Sequence, residues 1–432
     1  MASSKRSSRG RSRTRHRDRQ HQASHDEGNG PGPVPDLPMV PKETPPPITT
    51  PEALDAVLDH IRSEGTFAYD TEFIGEETYF PQLCLIQLGT SQQVHLVDPM
   101  AITDLTPLWE LIIDPDILTL VHAGHQDLEP IYRIMNTPAA NVIDTQIAAG
   151  LVGMPYPCSL NRLILTETGA ESGKGMTFTR WDNRPLSEMQ CRYAADDVRY
   201  LPLVWSQLEK KLTENGHLDW VREECQGLCE PASYRPDFEA QSNRLQRNRT
   251  MRTVQRAMLY RLLVARDESA RESNVPPRTL MADEVVMGLL KRKPANIDDL
   301  AAMPGMPRPV ARRYGERFVE AIQSDEMPKL SGPKTRLAEE TVEQRVTIDS
   351  LWAAITAASL AGDISPALLS SRSHIAAWYL RQPAGAPLTP PELPGWRGQF
   401  MQDSLGDFLA GERTLDLSWH QGRLSRPDRA TE

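Results

Sequence analysis

Thr66-Phe-Ala-Tyr-Asp70-Thr-Glu72-Phe73 predicts a β-strand, because its aromatic residues are bulky β-formers and the turn-forming pair Glu64-Gly65 precedes it. Because strand side chains alternate, Asp70 and Glu72 should emerge on the same face, about 7 Å apart. Two carboxylates so close repel each other, and a hard divalent cation such as Mg²⁺ or Mn²⁺ would neutralise them. The polar outer face of an edge strand is the simpler explanation of an isolated Asp-x-Glu, so a metal site requires further acidic residues.

The length and composition limit the number of domains and indicate the cellular compartment. The 432 residues are enough for two or three domains. No apolar run approaches the length of a membrane span, and no secretory signal is present. The cysteines lack a zinc-binding spacing, so we expect them to be reduced and the protein to be cytoplasmic. They are Cys84, Cys158, Cys191, Cys225 and Cys229.

The charge is unevenly distributed along the chain. The formal net charge is −10, yet the first 19 residues carry eight Lys or Arg against one Asp. Residues 1–48 are rich in Arg and Ser and then in Pro. Neither part is expected to bury a core, which predicts a disordered arm followed by a stiff polyproline-like leader. The arm either binds nucleic acid through phosphate charge or serves as a solubility tail. The acidic body fits a metal-binding cleft or mere solubility.

Residues 49–215 alternate between strand-like and helical patterns. Thr50-Pro51 predicts a helix start, with Thr50 as its cap. Three closely spaced strands predict an antiparallel meander, and the later alternation predicts an α/β layer with a mixed sheet covered by helices. The strand-like runs after the first are 83–88, 94–97, 118–121 and 142–143, and the helical runs include 105–113, 125–135 and 145–151.

Two aspartates lie at predicted helix starts in this region. Asp127 lies at the start of the helix that follows His122-Ala-Gly. An Asp there caps free backbone N–H groups and suits the helix dipole, so its position alone does not indicate chemistry. Asp144 is likewise predicted to be a cap and not part of the site.

The helix predicted from Ser187 to about Leu212 carries the next acidic candidate. Ser187 and Gln190 match a capping box. Tyr193 and Asp197 are four residues apart at one end of an otherwise apolar stripe, so both should face inward. Burying a carboxylate without a partner costs several kcal/mol, on the order of 3–5, so Asp197 must have one.

Neighbouring residues keep other interpretations of this helix open. A salt bridge to Arg180 or Arg192 would satisfy Asp197 without any metal. Asp196 also lies near the same face, although the i, i+4 spacing favours Asp197. Pro202 predicts a kink beyond the pair, because it removes one helical hydrogen bond.

Asp70-Thr-Glu72, Asp127 and Tyr193-x-x-x-Asp197 together resemble the three motifs of the DEDD 3′–5′ exonucleases, in the subgroup with tyrosine in the third motif. The surrounding segments resemble ribonuclease D over about residues 50–215. The resemblance implies a ribonuclease H-like α/β exonuclease domain with a mixed sheet. The matching segments are Asp70-Thr-Glu-Phe, Tyr79-Phe-Pro-Gln-Leu, Leu85-Ile-Gln-Leu, His122-Ala-Gly, Ile143-Asp-Thr-Gln, Arg184-Pro-Leu and Tyr193-Ala-Ala.

The second half of the chain resembles the helical part of the same family. Helices around the turn Met303-Pro-Gly-Met306 resemble an HRDC domain, which we place at 244–328, and a second HRDC-like helical unit is expected at 346–412. Residues 216–243 and 329–345 are predicted linkers, and 413–432 a tail. Arg249, Arg252 and Arg256 fall opposite an apolar stripe, which predicts a basic outer face that binds nucleic acid or is simply solvated.

The resemblance also implies roles for the motif residues. In two-metal phosphodiester hydrolysis the cations lie about 3.5–4 Å apart and need several carboxylates to neutralise them. Asp70 would hold both ions, Glu72 and Asp197 would complete one site, and Asp127 would hold the second ion. Tyr193 has too high an ordinary pKa, about 10, to act as a simple base, and is assigned to orienting the water and the phosphate. Candidate phosphate contacts are Lys174 and Arg180.

The predicted function is that of a metal-dependent 3′–5′ exoribonuclease. It would trim the 3′ ends of structured RNA such as tRNA precursors, release nucleoside 5′-monophosphates and act as a monomer. One alternative is a DNA exonuclease, since nothing in the motifs reads a 2′-hydroxyl. Another is a non-catalytic adaptor that binds nucleic acid through its arm and helical bundles.

Overall fold

The computed structural model describes residues 32–75, 77–171, 180–246, 251–331, 340–383, 388–412, 414, 418–420 and 423–425. An α/β domain comes first in the chain, and two helical units follow it. This order confirms the predicted fold class. None of the helices in these ranges is long and apolar enough to cross a membrane.

The central sheet of the α/β domain is mixed, as predicted. Its strands are β1 (Thr66–Ile74), β2 (Gln82–Gly89), β3 (Val94–Val97), β4 (Leu118–Val121) and β5 (Val142–Asp144). They lie in the order β3-β2-β1-β4-β5. The first three form the antiparallel meander, and β4 and β5 run parallel to β1.

Helices cover both faces of this sheet. They are α1 (Pro51–Glu64), α2 (Thr106–Ile112), α3 (His125–Met135), α4 (Thr145–Gly150), α5 (Leu160–Thr168), α6 (Glu188–Arg199) and α7 (Leu201–Glu214). The face with Phe67 and Tyr69 packs against α1, α2 and α3. Ala68 lies on the opposite face, against α6 and α7. By alternation Asp70 and Glu72 share that second face.

The helix that carries the third motif is interrupted. Ser187 caps α6 in the predicted capping box with Gln190. The break predicted near Pro202 is present, but it divides the predicted single helix in two, because α6 ends at Arg199 and α7 begins at Leu201. Pro202 lies in the first turn of α7, where its missing N–H needs no helical partner.

Residues 32–48, which we call the leader strap, pack on the α/β domain. Val40 is buried in its core, and Ile48 pairs with Val97 of β3. The buried Arg199 donates to the carbonyls of Pro41 and Glu43 and to the Thr44 hydroxyl. The prediction that the Pro-rich leader buries nothing is therefore wrong for this part, and residues 1–31 lie outside the described ranges.

The first helical unit is built around a long helix, α10. Its core includes Leu259, Leu262, Leu289 and Phe318. Residues 216–243, predicted as a linker, contain α8 and part of α9. The helices are α8 (Leu218–Gln226), α9 (Phe238–Gln246), α10 (Thr253–Ser273), α11 (Pro277–Leu280), α12 (Asp283–Arg292), α13 (Ile297–Ala301) and α14 (Arg308–Gln323).

This unit contacts the loop after β1. The hydroxyl of Tyr79 donates to both carboxylate oxygens of Asp267 on α10, at 2.8 and 2.9 Å. The guanidinium of Arg271 lies over the rings of Tyr79 and Phe80, 5.3 and 5.6 Å from their centroids. The helical unit is thus attached to the continuation of the strand that carries Asp70.

The second helical unit shares a core with the α/β domain. Its buried Trp396 and Leu368 belong to the same apolar cluster as Leu151. The guanidinium of Arg397 also donates to the carboxylate of Glu224 on α8. The elements are α15 (Val342–Ala361), α16 (Pro366–Leu369), α17 (Arg372–Tyr379), α18 (Gly395–Ala410), β6 (Ser418–His420) and β7 (Arg423–Ser425).

We predict that Arg199→Met destabilises the protein and releases the leader strap. The buried Arg199 lies 2.6 Å from the buried Asp196, and removing one partner of such a pair costs about 3 kcal/mol. Urea unfolding and limited proteolysis of residues 32–48 measure the two effects. The matched control is Arg62→Met, which breaks an exposed pair with Asp59. A change of less than about 1 kcal/mol, typical of an exposed pair, would contradict the assignment.

Candidate active site

The five motif residues line one cleft of about 330 Å³. Asp70 and Glu72 come from β1, Asp127 from the first turn of α3, and Tyr193 and Asp197 from α6. All five are half-buried. Side chains from three separate elements therefore meet in one place.

Three of the carboxylates are close enough to share one cation. One carboxylate oxygen from each of Asp70, Glu72 and Asp197 lies within 4.8 Å of the other two. Asp127 lines the same cleft but is outside this set. Its carboxylate accepts a hydrogen bond from the hydroxyl of Thr71.

Burial and crowding raise the pKa of all four carboxyl groups. Burial is the largest cause at Asp70, whose pKa lies well above its usual range, and the charges of Asp127 and Asp197 add to it. Burial and the charges of Asp70 and Asp127 raise the pKa of Glu72 to about 8. Burial also raises the pKa of Asp127 and of Asp197.

No Lys or Arg in the described ranges forms a salt bridge with these four carboxylates, although the neighbouring Asp196 has such partners. Asp196 lies 2.9 Å from Arg192 and 2.6 Å from Arg199. The sequence left open whether Asp196 or Asp197 faces the site, and whether Arg180 or Arg192 neutralises Asp197. Asp197 faces the cleft, and Arg192 pairs with Asp196 instead.

Tyr193 is a hydrogen-bond donor in this cleft. Burial, followed by the charge of Asp197, raises the pKa of its hydroxyl. Its ring lies 6.1 Å from that of Trp181, centroid to centroid. The hydroxyl therefore stays protonated at neutral pH and cannot serve as a general base.

The donor set fits a divalent cation. Its atoms are all carboxylate oxygens, which are the ligands that Mg²⁺ and Mn²⁺ prefer. The cluster lacks a compensating charge from the described residues, and its raised pKa values show that the ionised state is unfavourable without one. A divalent cation would supply the missing charge.

The basic residues predicted to bind nucleic acid differ in their exposure and in their partners. Lys174 and Arg249 lie outside the described residues. Arg180 is exposed and pairs with Asp182 at 2.7 Å, and Arg252 is exposed at the start of α10. The outer position predicted for Arg256 is wrong, because its guanidinium is buried and donates to the carbonyl of Ser331.

Two residues that support the site were not singled out from the sequence. Thr71 holds Asp127, and His122 lines the cleft while its Nδ1 and Nε2 lie 3.0 Å from the Thr145 hydroxyl and 3.1 Å from the Cys158 carbonyl. The role of Thr71 could have been predicted, because the alternation of side chains along β1 places it on the face opposite Asp70, towards α3. The sequence pointed to His122 only through the resemblance of the segment His122-Ala-Gly, because its hydrogen-bond partners are distant in sequence.

Comparisons with known proteins agree with this architecture. A family model described as a 3′-5′ exonuclease matches residues 45–213, and one described as an HRDC domain matches residues 255–322. Ribonuclease D of Gluconacetobacter diazotrophicus is 35% identical over 355 residues, which cover 81% of this chain and 89% of that protein. Ribonuclease D of Granulibacter bethesdensis is 33% identical, covering 88% of this chain and 96% of that protein.

A solved structure shows the same fold over most of the chain. It is the crystal structure of Escherichia coli RNase D, described as an exoribonuclease involved in structured RNA processing. The TM-score is 0.67 at 29% identity, and the match covers 84% of this chain and 98% of that one. Since relatives above 30% identity span more than two thirds of it, the chain belongs to the ribonuclease D family and is a 3′–5′ exoribonuclease.

Proposed function

We propose that this enzyme uses two divalent cations, Mg²⁺ or Mn²⁺, to hydrolyse RNA from a free 3′ end and release nucleoside 5′-monophosphates. The observation that carries the proposal is the convergence of Asp70, Glu72 and Asp197 within 4.8 Å of one another. A half-buried cluster of this kind can keep all its carboxylates ionised at neutral pH only when a cation compensates their charge.

Each motif residue has a distinct task in this proposal. Asp70 would hold both cations, Glu72 and Asp197 would complete one site, and Asp127, fixed by Thr71, would hold the other. When bound there, the cations would lower the pKa of a water molecule and neutralise the charge on the leaving 3′ oxygen. Tyr193 keeps its proton and so donates a hydrogen bond that orients the attacking water and the scissile phosphate.

The proposed substrate is structured RNA, with tRNA precursors as the favoured class. The relative from E. coli is described as acting in structured RNA processing, and the helical units attached to the exonuclease domain here would give such RNA an extended surface. We also propose the cytoplasm as the compartment, because all five cysteines are free, as expected in a reducing environment. A monomeric state stays a prediction.

We expect Asp70→Asn to abolish hydrolysis while the protein still folds and binds RNA. The loss should be about 10³-fold or more, because bound cations supply several kcal/mol of transition-state stabilisation. Asp55→Asn, an exposed aspartate on α1, is the matched control and should leave the rate unchanged. A time course on end-labelled RNA measures both, and retained activity in Asp70→Asn would refute the proposal.

Matched oligonucleotides test both the direction of hydrolysis and the preference for RNA over DNA. We expect stepwise shortening of RNA with a free 3′-hydroxyl, no reaction when that end is blocked, and slower hydrolysis of DNA of the same sequence. Chelation of divalent cations should stop the reaction, and Mg²⁺ or Mn²⁺ should restore it. Equal or faster hydrolysis of DNA would show that the DNA exonuclease is the correct interpretation.

The raised pKa of Glu72 predicts a pH-dependent effect of Glu72→Gln on the metal-free protein. Folding raises this pKa from 4.5 to about 8, so the folded state takes up a proton, and stability is lost as the pH rises through this window. The amide stays neutral. Glu72→Gln should therefore stabilise the metal-free protein more at pH 8 than at pH 5.

Urea unfolding in the presence of a chelator measures this difference, and the comparison of variant with wild type cancels the titration of unrelated histidines. Glu52→Gln, an exposed residue on α1, is the control and should show the same small effect at both pH values. An effect of Glu72→Gln that is independent of pH would show that Glu72 is not crowded by the other carboxylates.

A further inference from the structure

Gln87 of β2 is a buried polar side chain without a protein partner. Its exposed fraction is 0%, and neither its amide nitrogen nor its amide oxygen has a hydrogen-bond partner among the described residues. Leaving a buried amide unpaired costs about 1–3 kcal/mol, and an apolar residue of similar size would avoid this cost. The presence of an amide here therefore requires an explanation other than packing.

The strand register places Gln87 next to the active site. Gln87 is directly opposite Asp70 in the antiparallel pair of β1 and β2. Side chains of directly opposed residues emerge on the same face, with Cβ atoms about 4.5–5.5 Å apart. On its other side Gln87 is opposite Leu96 of β3, which is apolar. Of its two cross-strand neighbours, only Asp70 can accept a hydrogen bond.

Helix α6 covers the face of the sheet on which Gln87 lies. It packs on β1, β2 and β3, and at Gly89 an added Cβ would lie 2.9 Å from the carbonyl oxygen of Val198. Gly89 shares the face of Gln87, two residues further along β2. The close approach of helix and strand keeps bulk water away and prevents the Gln87 amide from turning to solvent.

We propose that Gln87 is a positioning residue for Asp70: its amide N–H donates to the Asp70 carboxylate, directly or through one buried water, when that carboxylate holds the cations. This inference rests on the proposed metal-dependent function. A carboxylate that holds two cations must keep a defined orientation, and it retains a lone pair for a donor behind it. The amide is satisfied in that state.

The test compares Gln87→Met with wild type in three measurements. If Gln87 positions Asp70, Mn²⁺ affinity measured by calorimetry should fall about 10–100-fold, as is usual when a residue supporting a metal ligand is lost. The kcat on RNA should fall with little change in KM. The metal-free protein should be as stable as wild type or more stable, since the variant removes an unpaired amide.

The control is Gln82→Met on the same strand, which is exposed and should change none of these quantities. Mn²⁺ affinity of Gln87→Met within twofold of wild type would overturn the inference while leaving the proposed function intact. A wild-type protein that neither binds Mn²⁺ nor hydrolyses RNA would overturn both.

A second measurement does not depend on folding of the variant. In a crystal structure of the wild-type protein with Mg²⁺, the Gln87 amide nitrogen should lie within hydrogen-bond distance of an Asp70 oxygen or of a water that contacts it. An amide bonded elsewhere would overturn the inference.

Discussion

Mutual repulsion among half-buried carboxylates is the constraint on which the rest of this structure depends. Asp70, Glu72 and Asp197 place oxygens within 4.8 Å of one another, and Asp127 lies in the same cleft. The pKa of each carboxyl group is raised, and no salt bridge from the described residues relieves the crowding. The fold must therefore hold these carboxylates in place through contacts outside the cleft, and the cleft must stay accessible to a cation.

The supporting contacts lie behind the elements that carry the acids. Asp196 and Arg199 form a buried pair on α6, and Arg199 also binds the leader strap. The loop after β1 is attached to the first helical unit through Tyr79 and Asp267. Two of the three elements that carry the site, β1 and α6, are thus attached to parts of the chain outside the cleft, namely the first helical unit and the leader strap.

The local parts of this picture could be predicted from the sequence. Strand alternation placed Asp70 and Glu72 on one face, and helical spacing placed Tyr193 beside Asp197, because both patterns depend only on neighbouring residues. The docking of the leader strap could not be predicted, since a short Pro-rich segment carries no periodicity to show that Val40 is buried. Arg256 was misplaced for a related reason: a helical wheel shows which residues share a face, but not that Glu239 and Ser331 cover that face.

The central claim is that the carboxylates converge because they hold a pair of cations, and anomalous diffraction from a crystal soaked in Mn²⁺ tests it most directly. The account predicts two anomalous peaks about 3.5–4 Å apart, one contacting Glu72 and Asp197, the other next to Asp127, and both contacting Asp70. A cleft that binds no Mn²⁺, with its carboxylates neutralised by a Lys or Arg instead, would contradict it.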